Sequence, residues 1–145
     1  MPELIPVLDK NAIAQKVAEV ARQISNDYRN SDLVIVGVLK GALIFMADLI
    51  RQLTVSSIAI DFVRLTSYGN AAESSGQVRI IYDLETDIRG KDILIVDDIL
   101  DTGLTLAYLV EYLAKRQPRT IKVCTLIDKA ERRQNALAVS CRFRI

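Results

Sequence analysis

The chain contains no histidine among its 145 residues. That absence excludes Ser-His-Asp and Cys-His mechanisms and any histidine-ligated metal. Acid–base chemistry must fall to carboxylates, lysine or tyrosine. Cysteine is scarce as well. Cys124 and Cys141 each sit inside an apolar run, with no histidine or second cysteine nearby to complete a zinc site. Both read as buried, reduced thiols of a cytoplasmic protein. The formal net charge is only +1, so bulk charge supplies no polyanion-binding surface and no nucleic-acid partner is expected. No apolar run approaches the ~20 residues that span a bilayer, and no secretory signal precedes Leu4, so no membrane partner is expected either. Repeats and low-complexity blocks are lacking too.

Half of the residues are hydrophobic. That is enough to bury a substantial core in a single domain over residues 1–145. Asp9 or Asn11 can cap a first helix, on which Ile13, Val17, Val20, Ile24 and Tyr28 share a face. Residues 33–38 form a short apolar run, expected as a buried strand. Residues 42–53 read as a helix buried nearly all round, since Asp48, Arg51 and Gln52 leave only one polar face. Strands are expected at 58–66, 78–82, 93–96, 121–127 and 138–143, with a helix over 104–116. Strands alternating with helices predict an α/β fold, a doubly wound and mainly parallel sheet flanked by helices. Residues 67–82 break the alternation. They read as a small hairpin excursion, and the polar stretch 67–76 as a flexible loop.

The most telling stretch is ILIVDDILDTGLT, residues 93–105. Four apolar residues, the habit of a strand buried on both faces, end in Asp97 and Asp98. Asp101 follows, and then Thr102, Gly103, Leu104 and Thr105 open a helix. Ligands of open α/β sheets sit at the carboxyl ends of the strands. A helix N-terminus offers N–H groups to an anion. Carboxylates beside a phosphate cradle suit a phosphorylated sugar.

This stretch resembles the phosphoribosyl-diphosphate (PRPP) loop of the type I phosphoribosyltransferases, in its hypoxanthine-guanine variant. The likeness extends to VGVLKGALIFMADLI (36–50), the Ser67-Tyr68-Gly69 turn, DLETDIRGKDILIVDDILDTGLTL (83–106) and LIDKAERR (126–133), in the family's order. It implies a purine-salvage enzyme of the cytoplasm. Such an enzyme joins the phosphoribosyl group of PRPP to a 6-oxopurine base with Mg²⁺, as a homodimer or homotetramer.

The resemblance also implies roles. Asp97, where many relatives have Glu, and Asp98 would serve the ribose hydroxyls and the metal. Asp101 would take the N7 proton of the base; its other reading is an N-cap. Thr102, Gly103, Leu104 and Thr105 would hold the 5-phosphate, with Leu104, often Lys or Arg in relatives, acting through its N–H. Lys40 and Gly41 would touch the diphosphate, and the family has a cis peptide before this lysine. Lys129 would bond the 6-keto oxygen, which adenine lacks. Ile99 would lie against one purine face or simply pack. Ser67 and Tyr68 would close over the reacting carbon or belong to an ordinary hairpin.

The family's pattern runs on by roughly thirty residues, a further strand and helix, after the position of Ile145. That tail carries a purine-stacking aromatic, an acid and an arginine. Without them purine affinity is expected to fall, phosphate binding to survive, and the last strand to be an open edge. The rival reading is a regulatory module that binds PRPP or nucleotide with little turnover.

Overall fold

Residues 9–68, 77–100, 103–128 and 141–144 are described by the structure, a computed structural model. The first helix, α1 (Lys10–Asp27), starts where its sequence allows. Asp9 adopts an extended backbone and its Oδ1 accepts from the Ala12 amide at 2.7 Å, satisfying one of the helix's first donors. Val17, Val20, Ala21 and Ile24 form its buried stripe.

Strand β1 (Leu33–Val38) is buried along its whole length. It leads into α2 (Leu43–Ile50), and then β2 (Ile58–Tyr68) pairs parallel to it, Leu33 opposite Ile58. A hairpin brings β3 (Gln77–Tyr82) back antiparallel to β2, with an irregularity between Arg64 and Leu65. Then follow β4 (Asp92–Leu100), α3 (Leu104–Ala114), β5 (Thr120–Asp128) and β6 (Cys141–Arg144). The six strands lie in the order β3-β2-β1-β4-β5-β6, all parallel except β3. The sheet is doubly wound and mainly parallel, as expected. From β1 the chain winds one way to β2; from β4 it winds the other way to β5. The order therefore reverses between β1 and β4, the place where such sheets bind ligands.

Alternate residues feed two cores. Leu33, Ile35, Leu94, Val96 and Cys124 pack beneath α1 and α2. Val34, Val36, Ile93, Ile95 and Val123 pack beneath Leu106, Leu109 and Leu113 of α3. Among the described residues no helix is long and apolar enough to cross a membrane.

Three expectations are corrected. Helix α2 stops at Ile50 and is not buried all round, because Leu43 is 48% and Ile44 72% exposed. Strand β2 continues through Ser67 and Tyr68, which pair with Val78 and Gln77, so the polar sequence there does not end the strand. Strand β4 continues through both acids to Leu100, held by β5: Asp97 pairs with Thr125 and Ile99 with Ile127. The last strand is placed at 141–144 and lies at the sheet edge. Residues 138–140 fall outside the described residues.

Carboxylates tie the sheet to its loops. Asp92, almost fully buried, accepts from Arg119 Nε at 3.0 Å and from the Thr120 hydroxyl at 2.6 Å. Asp61 accepts from the amides of Phe62, Glu85 and Thr86. Asp83 accepts from the Tyr112 hydroxyl and from Arg116, both at 2.6 Å, fastening the end of the hairpin to α3. In each, burial works against the charge, but the hydrogen bonds outweigh it and hold the carboxyl below its ordinary value.

Candidate active site

Two turns meet where the strand order reverses. The first, residues 39–42, leaves β1. Its Leu39 amide donates to Val63 O at 2.8 Å, and the Leu43 amide to Lys40 O at 3.1 Å. The Leu39–Lys40 peptide is cis, the form that the resemblance implies. Lys40 and Gly41 are exposed.

The second turn leaves β4. Period-two alternation sends Asp97 to the α3 side of the sheet and Asp98 to the α2 side. Each carboxylate is steadied by the next amide: Asp98 N donates to Asp97 Oδ1 and Ile99 N to Asp98 Oδ1, both at 2.8 Å. The Asp98 side chain lies directly over Gly41. A Cβ on Gly41 would stand 2.5 Å from Asp98 Oδ2 and 2.8 Å from its Cγ. Only glycine permits that approach. Asp98 thus reaches the neighbouring turn from within the strand.

Beyond β4, Gly103 takes a left-handed conformation, φ 86°, and occupies the N-cap position of α3. Any other residue would be strained there. The first turn of α3, Leu104 and Thr105 included, points its amides toward the same edge, and Ala107 N closes the first intrahelical bond on Gly103 O at 2.8 Å. Leu104 is half-buried and Thr105 exposed.

Of the other expected site residues, Ile99 is exposed beside Asp97's face. Ser67 and Tyr68 have their backbone in β2, and nothing is described of their side chains. Asp101, Thr102 and Lys129 lie outside the described residues. Sequence reading missed the close contact between Gly41 and Asp98. It also missed Thr125, a fully buried hydroxyl in register with Asp97. A threonine inside an otherwise apolar strand was the available signal.

Asp97 is the electrostatic focus. Burial and the adjoining Asp98 side chain push its carboxyl up to about 7, against the pull of the Asp98 amide. Two carboxylates so close resist joint ionisation unless a cation or a set of donors arrives. Among the described residues no group of three or more acids could hold a metal ion unaided. Two carboxylates suit Mg²⁺, which keeps waters and shares itself with substrate phosphates.

In the unliganded protein, a carboxyl raised from 3.8 to about 7 contributes stability fully below the unfolded value and loses it as pH rises through the folded one. Ionised Asp97 therefore costs ~2–4 kcal/mol above pH 7. Asp97→Asn should raise the melting temperature at pH 8 and leave it near that of the wild type at pH 4. A difference that does not vary with pH would contradict this.

The model for the family described as "Phosphoribosyl transferase domain" matches residues 6–143. The hypoxanthine-guanine phosphoribosyltransferase of Bacillus subtilis is 44% identical over 128 residues, which are 88% of this chain and 71% of that protein. The hypoxanthine phosphoribosyltransferase of Escherichia coli is 46% identical over 124 residues, 84% of this chain and 69% of that protein. A crystal structure of a hypoxanthine-guanine phosphoribosyltransferase from Bacillus anthracis superposes with a TM-score of 0.90 at 36% identity, covering 99% of this chain and 83% of that one. The geometry of the two turns and these likenesses lead to one assignment: the chain belongs to the phosphoribosyltransferase family, on its hypoxanthine-guanine branch.

Proposed function

We propose that the chain transfers the phosphoribosyl group of PRPP to hypoxanthine or guanine, giving IMP or GMP and diphosphate. Its place is purine salvage. One observation carries the reading at the level of chemistry: the Asp98 carboxylate rests on Gly41. A diol-binding acid and an amide-bearing turn therefore address one sugar from two sides.

In this reading the 102–105 turn binds the 5-phosphate through its amides and hydroxyls. Lys40 and Gly41 receive the diphosphate. Asp97 and Asp98 hold the ribose hydroxyls and the Mg²⁺ that PRPP carries. Bound there, Mg²⁺ would supply positive charge to offset that of the diphosphate. As the N9–C1 bond forms and the C1–diphosphate bond breaks, Asp101 accepts the N7 proton of the base. Lys129 donates to the 6-keto oxygen. A site built to bond such a group rejects an analogue lacking it by as much as ~10⁴–10⁵. Ile99 lies against the base, and Ser67 and Tyr68 close over an oxocarbenium-like carbon that water would otherwise attack.

The cytoplasm is the proposed compartment, supported by Cys124 lying buried in the core as a thiol would in a reducing environment. A homodimer or homotetramer is the proposed assembly, supported by the exposed Leu43 and Ile44 on α2. Sedimentation equilibrium at micromolar concentration should show more than one chain; a monomer would contradict the assembly.

The wild type should form IMP from PRPP and hypoxanthine with Mg²⁺. Asp101→Ala should lose about 10²–10⁴-fold in kcat while binding PRPP as before. Turnover at the wild-type rate by that variant would remove Asp101 from the role of base. Nucleotide binding without any product from the wild type would favour the regulatory module instead.

A further inference from the structure

The face of the sheet that carries Asp97 continues one row further toward the ligand edge. On β4 the next residue on that side is Ile99, and its register partner on β5 is Ile127. Parallel neighbours sit about 4.8 Å apart across a sheet and point the same way. The two isoleucines therefore stand side by side. Nearer the middle of the sheet, Ile93, Ile95 and Val123 on this face are fully or almost fully covered. Ile99 and Ile127 are not: they are 39% and 41% exposed. They form an uncovered extension of the apolar core, opening where the substrate edge lies.

The rows have different chemistry. Asp97 and Thr125 form a polar pair, and Ile99 and Ile127 form an apolar pair about 6.6 Å further along. That spacing is comparable to the step from the hydroxyl edge of a ribose to the middle of its base. A sugar on the polar row leaves its base over the apolar one. Neither isoleucine has a hydrogen-bonding group, so the shelf can meet only the flat face of a ring and leaves the polar edges of the ring to other residues.

We propose that Ile127 is a base-contact residue, forming with Ile99 a two-residue shelf beneath the purine ring. The inference rests on the phosphoribosyl-transfer reading and adds to it a residue outside the 93–105 loop, to which no role has been given. A face contact makes the shelf indifferent to substituents at the base edge. It should serve hypoxanthine and guanine nucleotides equally.

Titration of GMP, IMP and ribose 5-phosphate into the wild type, Ile127→Ala and Ile127→Leu tests this without requiring turnover. Ile127→Ala should weaken GMP and IMP by about tenfold, and by the same factor for both, because apolar contact to a ring is lost. Ribose 5-phosphate, which has no base, should bind as to the wild type. Ile127→Leu should recover most of the loss. Unchanged GMP affinity in Ile127→Ala would overturn the proposal. So would an equal loss for ribose 5-phosphate, which marks a packing defect. A wild type that binds GMP yet produces no nucleotide from PRPP defeats the transfer reading alone.

Discussion

The site depends on a steric fact at one point of the fold. Strands β1 and β4 lie side by side and send their chains to opposite faces of the sheet. Where the two chains part, Asp98 lies on the bare Cα of Gly41, at the kind of place where such sheets bind ligands. The turn after β1 and the acidic end of β4 are thereby in contact. Lys40, Gly41, Asp97, Asp98 and the left-handed Gly103 then converge on a single edge, although more than fifty residues separate the first from the last.

The carboxylates show how environment divides labour within one residue type. Asp61, Asp83 and Asp92 are each surrounded by several donors, which hold them ionised and make them fasteners between sheet, hairpin and α3. Asp92 lies at the start of β4, at the opposite edge of the sheet from Asp97 and Asp98. Asp97, five residues along the same strand, has among the described residues one amide donor and an acid for a neighbour, and its carboxyl rises to about 7. The N-terminal edge of the sheet is stabilised by satisfied charge. The C-terminal edge keeps charge that is incompletely satisfied, and that is the property a cationic or sugar ligand can use.

Much of this was legible in the chain before folding. Continuous apolar runs at 33–38 and 93–96 demanded burial on both faces, which requires parallel strands under helices. Asp9 three residues before Ala12 announced a capped helix. Gly103 and the apolar spacing after it announced a helix start, which the structure places at Leu104. What stayed hidden depends on pairing between distant segments. The hold of β5 on residues 97–100 keeps the acids in a strand, and local sequence cannot report it. Ser67 and Tyr68 look like loop residues until β3 pairs with them. The exposed outer side of α2 reflects the absence of cover over Leu43 and Ile44, which their hydrophobicity conceals. The shelf of Ile99 and Ile127 exists only through register, since twenty-seven residues lie between them.

The central claim is that Gly41 is bare so that Asp98 can complete the sugar-phosphate site. Titration of PRPP with Mg²⁺ into wild type and Gly41→Ala tests it most directly, with the melting temperature of each recorded alongside. The added methyl group should displace the Asp98 carboxylate, weakening PRPP by about tenfold or more while the fold survives, since the group that must move is the end of a side chain. Equal affinity in the two proteins would contradict the account.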